Sequence, residues 1–323
     1  MSVTSLKRKE EIRASIADIG IDATAEKYGL KRETVRRYQR KRAGVDESAT
    51  NETVVTDSPI MAKIQARYSD KELLLIANGG IPEEHKHSPV HSFGGRAVKI
   101  GWMGDTHIGS VYTDYSYIED AREQFAKADV DMVVVTGDVT EGMSNRPDHM
   151  FQCSELGYDA QKEKSIEIFS DFNFCPLYMI DGNHDRWYIK NSGAKIVQDI
   201  CKEVRHAEFL GHDEGDIMID GAVVKLWHGE DASSYAISYR LQKLIESLQG
   251  GEKPNLLFCG HVHKFGNFFI RNIHCRSTGS IQKQSKWMRG KRIEAHTCFG
   301  ITTIHVNETG IGRISDEFFP FYA

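Results

Sequence analysis

The sequence predicts an α/β domain over residues 96–323 behind a small all-α head over residues 1–43, with residues 44–95 between them. Three observations predict it. From Arg96 onward, short apolar runs alternate with segments of helical spacing, as strands and helices do in α/β folds. Five of those runs end beside glycine in Asp, Asn or His. Residues 1–43 hold 12 Lys/Arg against 6 Asp/Glu, which leaves 29 against 40 in the remainder, so a basic head precedes an acidic body.

In the head, Ile12, Ile16 and Ile19 stand at helical spacing. Gly20-Ile21 breaks the run, Asp22–Tyr28 forms a second short segment, Gly29-Leu30-Lys31 turns the chain, and a basic helix is expected over Arg32–Arg42. Short helices about a glycine turn suggest a helix-turn-helix. Asp46–Ser58 is rich in Ser, Thr, Asp and Glu and reads as the start of a linker. A helix is expected within Pro59–Ala77, where Ser69 offers an N-cap with Glu72 three places on, and Asn78-Gly79-Gly80 ends it. His85, His87 and His91 follow beside prolines, with no carboxylate or thiol pattern, and read as solvated linker.

In the body, Ala97–Met103, Met132–Thr136, Leu177–Ile180, Ala222–Leu226 and Leu256–Cys259 read as strands. Gln161–Phe172, Ala194–Glu203 and Ser234–Ser247 read as helices, and after Gly260 short strands with turns continue to about Ser315. No apolar run reaches the 18 or so residues that a membrane helix needs, and the charged N-terminus carries no apolar signal core. The six cysteines form no C-x-x-C pair, which argues against a disulfide framework or zinc ribbon and for a reducing cytoplasm.

The chemistry sits where the strands end. Lys99–Met103 runs into Gly104-Asp105-Thr106-His107, and Met132–Thr136 into Gly137-Asp138. Leu177–Ile180 runs into Asp181-Gly182-Asn183-His184-Asp185, Val223–Trp227 into His228-Gly229, and Leu256–Cys259 into Gly260-His261-Val262-His263. Ligands of open α/β sheets bind beyond the carboxyl ends of the strands, so these groups are expected to converge on one rim. Carboxylate, amide and imidazole donors without thiolate suit Mn, Fe or Zn.

In order, these segments read D-x-H, G-D, G-N-H-D, H and G-H-x-H. The set resembles that of the calcineurin-like metallophosphoesterase superfamily, over about Lys99 to Ser280. The resemblance implies a four-layer β-sandwich flanked by helices. It implies two divalent ions, manganese foremost with Fe, Zn or Mg as alternatives. Asp105, His107 and His263 would hold one ion, Asp138 would bridge, and Asn183, His228 and His261 would hold the other. It further implies phosphoester hydrolysis by a metal-bridging hydroxide, with His184 as the catalytic histidine. In related phosphatases a carboxylate three residues after the bridging Asp orients that histidine; the matching residue is Glu141. Protein phosphatases of the family carry Arg at the next position, for the phosphate. Here Gly142 stands there, and Arg146 and Arg186 are the candidates to replace it.

Against the 20-residue helix-turn-helix pattern, a start at Ile21 puts Ala25, Gly29, Leu30 and Val35 at the small, turn and apolar positions. The segment resembles homeodomain-like or recombinase helix-turn-helices. Its second helix would present Lys31, Arg32, Arg36, Arg37, Arg40 and Lys41 to DNA; the alternative is a packing or dimerisation unit with a solvated basic face. A second basic stretch, Gln282–Arg292, surrounds Trp287 with cations and suits either a nucleic-acid strand or solvent. The expected function is a metal-dependent phosphodiesterase or nuclease acting on DNA, in the cytoplasm of a bacterium or phage-infected host. A small-molecule phosphatase or cyclic-nucleotide phosphodiesterase is one alternative, and a DNA-binding regulator with a non-hydrolytic phosphoesterase fold another. No membrane is expected, and the oligomeric state, a dimer included, stays open.

Overall fold

Residues 3–32, 35, 73, 88–229, 236–248 and 253–322 are described by a computed structural model of the chain, which divides between Pro82 and Glu83 into two units. In the first unit, helical segment α1 (Val3–Tyr28) is broken at Gly20, whose φ of 83° and ψ of 174° lie outside helical space. The chain turns again at Gly29, and the Leu30 amide closes that turn onto the Ala25 carbonyl at 2.9 Å. Ile12, Ser15, Thr24 and Val35 are buried, and Thr24 donates to Ser15 at 3.2 Å. Lys31 and Arg32 are exposed, Arg32 facing Asp22 at 2.6 Å. Arg36, Arg37, Arg40 and Lys41 lie outside the described residues, as does nearly all of the stretch 59–77 in which a helix was expected.

The second unit runs β1 (Val90–His91), β2 (Val98–Met103), α2 (Tyr115–Ala128), β3 (Met132–Thr136), α3 (Tyr158–Ser170), β4 (Leu177–Asp181), α4 (Arg186–Ser192), α5 (Ile196–Glu203), β5 (Ala207–His212), β6 (Glu214–Ile219), β7 (Ala222–Trp227), α6 (Ile237–Ser247), β8 (Leu256–Cys259), β9 (Phe265–Ile270), β10 (Ile273–Thr278), α7 (Lys286–Gly290), β11 (Cys298–Asn307) and β12 (Gly310–Pro320). One sheet has the order β1-β6-β7-β8-β10-β9 and the other β12-β11-β2-β3-β4-β5. The strands β2 to β5 are mutually parallel, and so are β7, β8 and β10.

Period-two alternation builds the layers. In β3, Met132 and Val134 face the second sheet, where Val224, Leu226, Leu256 and Phe258 pack with them, while Val133 and Val135 face α2, α3 and α5 through Phe125, Phe169 and Ile200. In β8 the same rule turns Leu257 and Cys259 outward against Leu241 and Ile245 of α6. The result is helices, sheet, sheet, helix: the four layers expected. Arg276 of β10 reaches across to Asp316 of β12 with two bonds of 2.9 Å, joining the sheets at one side.

Several features differ from the sequence reading, among them α4, β5 and β6, which it did not name. Val90 and His91 pair with Met218 and Ile219, and His91 contacts the Tyr178 hydroxyl at 2.6 Å, so the ordered sheet begins ahead of residue 96 and His91 is not a solvated linker residue. Helix α2 was not anticipated: its buried face is only Ile118, Ala121 and Phe125, spaced three and four apart among charges. The last strand runs past Ser315 to Pro320. Five of the six cysteines are buried, and all are free thiols. Among the described residues no helix is long and apolar enough to cross a membrane.

Candidate metal centre

The rim expected at the strand ends is shared between two sheets. Asp105, His107, Asp138, Asn183 and His184 follow β2, β3 and β4 of one sheet, and His228, His261 and His263 follow β7 and β8 of the other. Each chain must turn sharply to present its donor. Asp105, His107, Asp138, His261 and His263 all sit at positive φ, between 44° and 78°, a region side chains rarely adopt. Such strain persists where the surroundings over-determine it, and it concentrates at functional sites.

Ligand-capable atoms of Asp105, His107 and His263 lie within 4.8 Å of one another, as do those of Asp138, His228 and His261, and those of His107, Asp138 and His184. Asp138 therefore stands between the two sets. Its Oδ2 is 3.2 Å from His228 Nε2 and 3.8 Å from His107 Nε2, while Oδ1 accepts from the His184 amide at 2.8 Å. Asn183 Oδ1 lies 3.2 Å from His228 Nε2. The Asp105 carboxylate accepts the His261 amide and faces His263 Nε2 at 3.3 Å. Gly182 is obligatory here, because a Cβ would run into the Asp138 carboxylate and amide.

The groups behind the donors fix which nitrogen faces inward. His228 Nδ1 donates to the Thr136 carbonyl at 2.8 Å, leaving Nε2 for the centre. His107 Nδ1 donates to Glu141 at 3.0 Å, with the same consequence. His107 Nε2 and His263 Nε2 then face each other at 3.1 Å, beside two buried carboxylates. Among the described residues no Lys or Arg nitrogen is within ion-pair distance of Asp105 or Asp138. Opposed lone pairs and buried carboxylates without a side-chain cation are what a divalent ion relieves, so the residues fit the metal that the fold implies. Protons take that role in the ion-free chain. Burial opposes charge on His107 and His228, but Glu141 at the first and Asp138 at the second outweigh it and hold both pKa values at about 9. Burial likewise opposes ionisation of Asp138, yet the surrounding imidazoles keep it well below the usual carboxylate range.

His184 was expected to pair with the Glu141 carboxylate, and it does not. Its Nδ1 donates to the Glu141 main-chain carbonyl at 2.8 Å, and its ring lies 4.0 Å from that of Trp187. Burial pushes its pKa down to about 4, so Nε2 is an unprotonated acceptor at neutral pH. The Glu141 carboxylate instead binds His107, His149 Nε2 at 3.0 Å and Gln282 Nε2 at 3.0 Å. The vacancy of the family's Arg also has a cause: residue 142 has a φ of 69°, and a Cβ there would strike the His184 carbonyl. Of the two candidate replacements, Arg186 is tied to Asp181 and Asp213 and does not line the cavity over the centre. Arg146 lines the cavity over the centre, its guanidinium 6.0 Å from the Trp187 ring.

Sequence reasoning missed three contributors. His149 sits in a 3-10 turn at no ligand spacing, and Gln282 belongs to a stretch singled out for its cations rather than its amide. Arg240, buried on α6, donates to the carbonyls of His228 and Gly260 and so holds the ends of β7 and β8 together. Its spacing from the motifs carries no signal.

A four-layer fold with carboxylates, an amide and imidazoles gathered at the ends of its parallel strands is that of a metal-dependent phosphoesterase. A family model, the calcineurin-like phosphoesterase superfamily domain, matches residues 98–295, and the chain belongs to that superfamily. Among curated proteins it is 23% identical over 239 residues to the DNA polymerase II small subunit of Methanothermobacter thermautotrophicus, covering 59% of this chain and 48% of that protein. It is 22% identical over 239 residues to the subunit of the same name from Halobacterium salinarum, covering 61% and 46%. The chain thus spans about half the length of these relatives. Solved structures similar to it include an archaeal phosphodiesterase (19% identity, 69% of this chain and 100% of that one, TM-score 0.40). A phosphoesterase from E. coli is another (17% identity, 68% and 98%, TM-score 0.40).

Proposed function

We propose that this chain is a dinuclear-metal phosphodiesterase that cleaves DNA. The observation that carries the reading is the position of Asp138, whose carboxylate belongs at once to a group with His107 and to a group with His228 and His261. In this reading Asp105, His107 and His263 would hold one ion, Asn183, His228 and His261 would hold the other, and Asp138 would be shared between the two sets. A pair of divalent ions, manganese foremost, supplies Lewis acidity toward a phosphoryl oxygen and a water of lowered pKa. His184 presents Nε2 to the reacting phosphoryl group, its ring held by the Glu141 carbonyl and Trp187. Arg146, at the cavity wall, takes the place of the family's missing Arg in meeting the phosphate.

DNA as the substrate rests on the basic head and on the curated relatives, which are subunits of a DNA polymerase. Exposed Lys31 and Arg32, together with Arg36, Arg37, Arg40 and Lys41, would neutralise phosphates and make binding salt-sensitive. The test offers Mn²⁺ with linear DNA, bis-p-nitrophenyl phosphate and the monoester to the protein and to Asp138→Asn. DNA cleavage that disappears in the variant supports the reading. Turnover of the monoester alone indicates a small-molecule phosphatase, and no turnover with any metal a non-hydrolytic regulator. Deleting residues 1–43 should weaken DNA binding and flatten its salt dependence; unchanged binding removes the head from the reading.

A further inference from the structure

Helix α7 places an exposed indole beside the candidate metal centre. One cavity of about 460 Å³, within the range of small-ligand sites, is lined by His107, Asp138 and His263 and also by Trp287, Met288 and Ile293. Trp287 is 50% exposed, so a face of its indole is open to a ligand in that cavity. Its position is fixed from below. Ser285 caps the helix by accepting the Met288 amide at 3.2 Å, and Met288 is buried. The Lys291 amide returns to the Trp287 carbonyl at 3.1 Å. At the root of the segment, Gln282 donates to Ser110 and to Glu141, the residue that orients His107. The indole is therefore presented on a framework continuous with the centre.

Cations flank it in the chain. Lys286, Arg289, Lys291 and Arg292 are all exposed, and among the described residues none of them has a carboxylate within ion-pair distance. No acidic residue interrupts 282–292. An open π-face on the wall of the cavity that holds the phosphoryl site, with exposed cations next to it in the chain, supplies the elements of single-strand recognition, in which bases stack and the backbone is held by charge.

We propose that Trp287 is a base-stacking platform: a nucleobase next to the scissile phosphodiester lies on its indole, and the cations of 286–292 take the adjoining phosphates. The inference rests on the phosphodiesterase reading above and adds to it that the bound DNA is unpaired at the site. A duplex keeps its bases in the stack, out of reach of a side chain at this wall, unless the base is flipped out.

The test compares the full-length protein with Trp287→Ala and Trp287→Phe on a single-stranded oligonucleotide and on versions with one abasic site, scanned position by position. Mn²⁺-dependent kcat/KM and affinity in chelator are both measured. Stacking of this kind predicts a loss of about 10-fold or more for Trp287→Ala on the intact strand, with most of it restored in Trp287→Phe. One abasic position should cost the wild type the same factor and cost Trp287→Ala nothing further. The head contributes equally to both strands and cancels in that ratio. Equal values for wild type and Trp287→Ala, or a loss that persists undiminished at every abasic position, overturn the platform while DNA cleavage itself stands. A wild type that cleaves a mononucleotide diester as well as the strand, or a duplex better than the strand, overturns the assignment to unpaired DNA. A wild type that cleaves no phosphodiester removes the underlying reading, and the platform with it.

Discussion

The carboxylate of Glu141 and the Nδ1 of His107 are joined at 3.0 Å, while the same residue reaches His184 only through its main-chain carbonyl. One residue thus performs two tasks by two different groups. Side-chain substitution separates them. Glu141→Gln keeps the carbonyl and weakens the orientation of His107 and His149, so the expected outcome is a loss of about 10- to 100-fold in Mn²⁺ affinity. Turnover at saturating metal should change much less. Titration calorimetry with metal-dependent kinetics reads both; a variant of wild-type metal affinity removes the positioning role.

His184 itself should behave differently. Its replacement by Ala leaves the other donors in place, so metal uptake should hold while kcat falls by about 10²- to 10⁴-fold, the usual contribution of a positioned proton-transfer group. A His184→Ala enzyme of near-normal kcat would remove it from the chemistry.

Metal binding should depend on pH with a definite sign. The pKa values of His107 and His228 are held at about 9 in the ion-free chain, because Glu141 and Asp138 outweigh the burial that opposes their charge. Below that pH each carries a proton that an ion must displace. Mn²⁺ affinity should therefore rise between about pH 6 and pH 8, by about tenfold per unit for each proton displaced. In the ion-free protein the stability these raised values contribute is full below the unfolded histidine pKa of about 6.5 and is lost as pH rises through about 9. Calorimetry across buffers measures the proton release; a flat affinity profile contradicts the assignment.

Gly142→Ala should be costly although it adds one methyl. The residue sits at a φ of 69°, and its Cβ would meet the carbonyl of His184. A shift of His184 by the distance needed to relieve that clash is expected to lower kcat on the order of 10²-fold. A fully active Gly142→Ala protein would show that the loop yields without moving His184.

Away from the site, Asp316→Asn tests the joint between the sheets. Arg276 is 3% exposed and would lose its carboxylate partner. The loss should be about 2 kcal/mol by urea unfolding, below that for a fully buried pair because water reaches Asp316. Burial opposes the charge of Asp316, but Arg276 and Thr302 lower its pKa from the ordinary 3.8. A depressed carboxylate contributes stability that is full above its unfolded pKa and lost as pH falls through the folded value. The wild type should therefore lose more stability than the variant on acidification below about pH 4.

Much of this protein was open to reading in one dimension. Alternating apolar runs such as Met132–Thr136 and Leu256–Cys259 carry their own strand and face assignments, because side-chain direction repeats every two residues and burial follows from it. Asp105, Asp138 and the His261-Val262-His263 pair could be picked out because each directly follows its strand. Tertiary structure alone decided the rest. It split the expected rim between two sheets, turned the Glu141 carboxylate from His184 to His107, and brought His149, Gln282 and Arg240 behind the donors. A hydrogen-bond partner 34 or 141 residues away is chosen by how strands stack and loops turn, and no local periodicity encodes that choice.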